Sequence, residues 1–206
     1  MKYKILSLLI SLTLLGCGNK PDNVEKVASM PPIFPDYVGV TIPVEIAPLN
    51  FAVVPANGEA DRVDVTVKGA DGNELHTNGE FAKFDIDKWH KLTAGNKGKE
   101  LTVTVCAKIA GKWVQYDDFT ISVSQAPLDQ WGLTYRRIAP GYEVYSKMGI
   151  YQRDLGNFDE FAIIENTMTD GQCYNCHTSN RTNPKDFVFH VRGEHGATMV
   201  AKNGEC

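Results

Sequence analysis

Between residues 50 and 125 apolar and polar positions alternate with period two, and short turn sequences interrupt the alternation. Phe51-Ala52-Val53-Val54 runs into Pro55-Ala56-Asn57-Gly58. Val63-Asp64-Val65-Thr66-Val67 runs into Ala70-Asp71-Gly72-Asn73, which has the composition of a hairpin turn. Phe81-Ala82-Lys83-Phe84-Asp85-Ile86 alternates again, and Trp89-His90-Lys91-Leu92 marks a short helical turn ending near Gly95. Residues 101–109, 113–116 and 119–123 continue the strand pattern, with Ala110-Gly111 as a tight turn. About seven short strands at this spacing predict an immunoglobulin/fibronectin-like sandwich over residues 37–127. Such folds host many functions, so the module reads as structural or docking. His76 and His90 read as surface or turn residues, and Trp89, Trp113 and Trp131 as core or interface aromatics.

Past Pro127 the pattern loosens. Aromatic residues are dense from Trp131 to Phe161, yet no helical period is sustained, which predicts packed loops and short elements over residues 128–206. Asp170-Gly171-Gln172 is a turn that presents Cys173. Phe187-Val188-Phe189-His190-Val191-Arg192 alternates as a strand, Gly193-Glu194-His195-Gly196 turns, and Thr198-Met199-Val200 returns. The expected fold class is mainly β: a sandwich followed by a loop-rich C-terminal segment.

The first residues change the setting. Lys2 and Lys4 precede an apolar run, residues 5–15, that is too short to span a bilayer as a helix, which is the layout of a signal peptide over residues 1–16. Leu14-Leu15-Gly16-Cys17 matches the bacterial lipobox, in which the cysteine is lipidated and becomes the mature N-terminus. Residues 17–36 are polar and then proline-rich (Pro31, Pro32, Pro35), and read as a lipidated tether. Cleavage removes two lysines from a chain of formal net charge −4. An acidic mature chain has no electrostatic footprint for nucleic acid, so membrane association is expected through the lipid. The expected location is the bacterial cell envelope, facing the periplasm or at the outer membrane, where oxidation favours disulfides and covalent haem.

Five cysteines need a role. Cys17 goes to lipid. Cys106 reads as a buried small hydrophobe in its strand, and Cys206, the last residue, as mobile rather than bridged. Cys173-Tyr174-Asn175-Cys176-His177 is the c-type haem attachment pattern. One short turn carrying both sulfurs reaches the two vinyl groups of one haem, and His177 then ligates the iron from below. His190, on a strand, is the first choice for the sixth ligand, His195 the second, and Met199 a third; Arg181 and Arg192 are propionate partners or exposed charges. Two other readings stay open. Cys173, Cys176, His190 and His195 have the spacing of a structural zinc site, with thirteen residues and then four between the later ligands. Alternatively, Cys173 and Cys176 form a disulfide or remain thiols.

Several runs stand together in order: Ile33-Phe34-Pro35-Asp36-Tyr37, Val40-Thr41-Ile42-Pro43, Ile46-Ala47-Pro48-Leu49-Asn50-Phe51, Gly149-Ile150-Tyr151-Gln152-Arg153-Asp154-Leu155, the Cys173–His177 motif, and Phe189-His190-Val191-Arg192 with His195-Gly196. Together they resemble exported bacterial TolB-like lipoproteins, some of which are labelled cytochrome c-like. The resemblance covers essentially the whole mature chain. It implies a WD40-like β-propeller after this part, which this sequence lacks, so a truncated or short member is expected.

No G-x-S-x-G, H-E-x-x-H or phosphate-binding glycine loop occurs, and the acidic pairs Asp117-Asp118 and Asp159-Glu160 read as solvated loops, so the chain is not expected to be an enzyme. The leading expectation is an envelope lipoprotein with covalent haem c that passes single electrons to an envelope partner protein. The alternative is a non-redox docking lipoprotein whose Cys/His segment is a zinc or disulfide staple.

Overall fold

The computed structural model describes residues 21–206 except 57, 59, 129–131, 139–147, 182, 204 and 206. Cys17, Trp131 and Cys206 therefore lie outside the described residues. Among the described residues the chain is mainly β with one short α-helix. Its elements are β1 (Glu25–Lys26), β2 (Ile33–Phe34), β3 (Thr41–Val44), β4 (Ala52–Val53), β5 (Arg62–Gly69), β6 (Glu74–Gly79), α1 (Ile86–Gly95), β7 (Glu100–Ile109), β8 (Lys112–Gln115) and β9 (Phe119–Pro127). Then follow β10 (Gly132–Ile138), β11 (Met148–Asp154), β12 (Glu160–Glu165), β13 (Cys173–Asn180), β14 (Asn183–Arg192) and β15 (Ala197–Ala201).

β7 organises the first sheet. It pairs antiparallel with β5 along one edge, and with β9 and then β8 along the other. β3 adds to β9 in parallel and β6 completes the β5 side. The period-two pattern explains the core: Val63, Val65 and Val67 of β5 and Leu101, Val103, Val105 and Ala107 of β7 all point inward and are buried. At the β7–β8 hairpin Ala110 and Gly111 both take positive φ, +48° and +80°, as a tight turn with strand-matching twist requires.

A cover of α1 and the two-stranded β2–β4 ribbon closes this core. The stretch 81–86 does not form the strand its alternation predicts. Ala82 makes only a bridge to Phe51, because Asp85 caps the helix instead, its Oδ1 accepting from the Lys88 amide at 3.0 Å. Trp89 is fully buried against Phe84, ring centroids 5.4 Å apart. Buried Asn96 ties the helix end to the β5–β6 turn: its Nδ2 donates to the Leu92 carbonyl at 2.8 Å, and its Oδ1 accepts from the Asp71 amide at 3.2 Å.

Residues 128–206 are less loop-rich than expected. They contain two three-stranded antiparallel sheets, β10-β11-β12 and β13-β14-β15. A second core forms from Ile150, Tyr174, Phe187, Phe189, Val191 and Ala201. The Ala47 amide donates to the Leu155 carbonyl at 2.8 Å, joining the two halves. Part of the expected tether is also structured: β1 pairs in parallel with β8, and the Val27 amide donates to the Gln115 carbonyl at 3.0 Å.

Trp89→Ala should lower stability by about 3–5 kcal/mol through the cavity it leaves, and Asn96→Ala by about 1–3 kcal/mol through stranded backbone groups. Urea unfolding of each variant checks both values.

Candidate functional site

The motif lies on a strand rather than on a short turn. Cys173 pairs in register with Arg192, Tyr174 with Val191 and Asn175 with His190. The next pair is Thr178 with Val188, so Cys176 and His177 together oppose the single residue Phe189. That is a β-bulge, and Cys176 sits in it at φ +55°. Glycine is the default residue for this conformation; a side chain there costs about 1–2 kcal/mol. Its thiol is exposed and is not in a disulfide in this structure.

Alternation sorts the neighbours. Tyr174, Phe187, Phe189 and Val191 point into the second core, with Phe189 edge-on to Tyr174 at 6.3 Å. Cys173, Asn175, His190, Arg192 and Thr198 take the opposite face. Arg192 Nη2 donates to Cys176 Sγ at 3.7 Å, so one guanidinium is the register partner of the first cysteine and the hydrogen-bond partner of the second. His190 is half-buried, and its Nδ1 contacts Thr198 Oγ1 at 3.1 Å. With Nδ1 as the donor, Nε2 keeps its lone pair for a ligand. His177 is half-buried, and its ring nitrogens have no partner among the described residues.

Other expected residues are elsewhere. Met199 packs against the second core, away from the motif face. His195 is exposed in the β14–β15 turn, and Arg181 is exposed at φ +57°. Among the described residues no group of three or more His, Cys, Asp or Glu is placed to hold a metal ion, so the zinc set Cys173, Cys176, His190 and His195 is not assembled. A covalent haem needs both thiols and an open imidazole brought together. Cys173 and His190 share one face of the hairpin and Cys176 contacts Arg192 of that face, while none of these residues or His177 lines the groove of about 370 Å³ bordered by Thr178, Asp186, Val188, Val200 and Lys202.

Three features carried no sequence signal. The positive φ at Cys176 and the Arg192 contact depend on a register that only the folded hairpin defines. A cleft of about 880 Å³, bordered by Glu45, His90, Gln152, Arg153, Asp154 and Lys185 among others, lies between α1 and the C-terminal sheets and contains no motif residue. His76 Nε2 bonds Asp64 Oδ2 at 2.9 Å, and Asp64 is opposite Cys106 in register. Burial, helped by the carboxylates of Asp64 and Asp118, pushes the Cys106 thiol up to about 11. Cys106 is thus an inert core thiol, as expected. Among the described residues no helix is long and apolar enough to cross a membrane.

Comparison with protein-family models, curated proteins and solved structures finds no match to this chain.

An alkylating reagent at neutral pH should modify Cys176 in the apo chain at least tenfold faster than Cys106, read by peptide mass. Because the folded Cys106 pKa is raised, its stabilising contribution is complete below the ordinary thiol pKa and is lost as pH climbs towards about 11. Cys106→Ala should flatten the stability curve in that alkaline window, measured by urea midpoints at stepped pH. Cys176→Gly should raise stability by about 1 kcal/mol and Cys176→Val lower it, since only glycine enters the bulge conformation unstrained.

Proposed function

We propose that this protein is a lipid-anchored lipoprotein of the bacterial cell envelope. Its C-terminal hairpin carries one haem c through Cys173 and Cys176 and passes single electrons to an envelope partner protein. In this reading it is a TolB-like, cytochrome c-like lipoprotein, and its first sheet with the cover of α1 and β2–β4 is an immunoglobulin-like sandwich. The observation that carries the proposal is Cys176: a strained, solvent-facing thiol held where glycine would be easier. Among the described residues seven non-glycine positions have positive φ, and Cys176 is the one of them that carries a thiol and lies within the C-x-x-C-H motif, which is what points to a use for its side chain.

The bound haem would supply a one-electron couple. The chain's residues do the rest. Cys173 and Cys176 would hold the haem through thioethers, and His177, next in sequence, would ligate its iron. His190 is oriented by Thr198 and offers its second nitrogen from the motif face. With a second histidine, rather than the thioether of Met199, as ligand the couple would have a lower potential. Arg192, whose guanidinium lies against Cys176, would be the residue to pair with a propionate carboxylate.

The test is a pyridine haemochrome spectrum of the mature chain made with the cytochrome maturation machinery. About one covalent haem per chain is expected, lost in Cys173→Ser/Cys176→Ser. His190→Ala should keep the covalent haem and change the oxidised spectrum from low to high spin. A colourless chain under those conditions overturns the proposal and leaves a docking lipoprotein.

A further inference from the structure

An apolar patch surrounds the β2–β4 ribbon. Phe34 is 72% exposed, Met30 54%, and Val54 and Phe81 46% each. Backbone pairing gathers Phe34, Val54 and Phe81, and Met30 precedes the ribbon by three residues. The Val54 amide donates to the Pro32 carbonyl at 2.7 Å, Phe34 pairs with Ala52, and Phe51 bridges Ala82, beside Phe81. Phe34, Val54 and Phe81 line one groove of about 750 Å³. Scattered exposed apolar residues are ordinary, but a contiguous set of large ones around one groove marks a contact surface.

We infer that this patch rests on the lipid bilayer that holds the chain, with Met30, Phe34, Val54 and Phe81 inserted at headgroup depth. The inference rests on the reading of Cys17 as lipidated. Chain length then selects the occupant. β1 is pinned to β8 from Glu25 onward, and the Asp117 amide holds the Ser29 carbonyl at 3.0 Å. Eight residues of sequence separate Cys17 from Glu25, a contour of at most about 29 Å. The patch begins five residues after Glu25, at Met30, so the bilayer surface is always within its reach. The groove is bordered by Asp61 and Glu80 rather than by lysine or arginine. Contact is thus apolar insertion, with no attraction to anionic lipid.

The test is hydroxyl-radical footprinting of the lipidated chain in phosphatidylcholine vesicles against the unlipidated mature chain in solution, with intact mass reporting Cys17 acylation. Oxidation of Met30, Phe34 and Phe81 should fall at least threefold on vesicles, with exposed Met168 on the second half unchanged. Adding phosphatidylglycerol should not increase the protection, and Phe34→Ser/Phe81→Ser should remove it at Met30. Acylated chain with unchanged oxidation overturns the docking and leaves the anchor standing. Protection already present in solution, together with a dimeric mass, assigns the patch to a second copy and overturns it as well. An unacylated Cys17 overturns the docking together with the anchor.

Discussion

The inward packing of Tyr174, Phe187, Phe189 and Val191 is the constraint on which the C-terminal site depends. Side chains on a strand alternate strictly, so fixing which residues are buried fixes which are presented. With Tyr174 opposite Val191, and Thr178 opposite Val188, the chain has two residues to place opposite Phe189. One of them must break the alternation, and Cys176 does so by entering the left-handed region. Without the bulge Cys176 would fall on the Tyr174 side, towards the core. With it, the thiol reaches Arg192 on the face that Cys173 and His190 share. The aromatic core therefore determines the presentation of the motif.

The first sheet has a different role. Its valine-rich faces and the Trp89 helix make a core that needs no cofactor, and Asn96 and Asp85 fix the helix ends. If Cys17 is lipidated as proposed, that rigid half would set the distance of the domain from the membrane. The Ala47–Leu155 hydrogen bond is one of its links to the second half. Under the proposed function, an anchored base and an exposed haem-bearing hairpin are the two ends of one device for meeting an envelope partner.

The first sheet was legible in the sequence because its strands are apolar mainly on one face. β5 and β7 alternate valine or leucine with threonine, lysine or aspartate, and that contrast is visible without a structure. The stretch 81–86 misled because Phe81, Phe84 and Ile86 alternate well enough for a strand, while Asp85 acts through a cap that only the neighbouring helix reveals. In the second half the outer face is aromatic too. Tyr135 and Tyr151 stack at 6.3 Å with Arg137 over the Tyr151 ring, and Tyr135 donates to Glu160. With apolar bodies on both faces the period-two contrast vanishes, and the segment reads as loop. The motif itself was legible as a string. Its bulge was not, since a bulge is a mismatch between two strands and belongs to neither alone.

Whether the strained Cys176 serves covalent attachment is read most directly from the mass of the peptide containing residues 173–177, from protein isolated from the envelope and treated with an alkylating reagent. A peptide heavier by one haem, with both cysteines refractory to alkylation, is expected. A peptide of unmodified mass that takes up two alkyl groups would contradict covalent attachment.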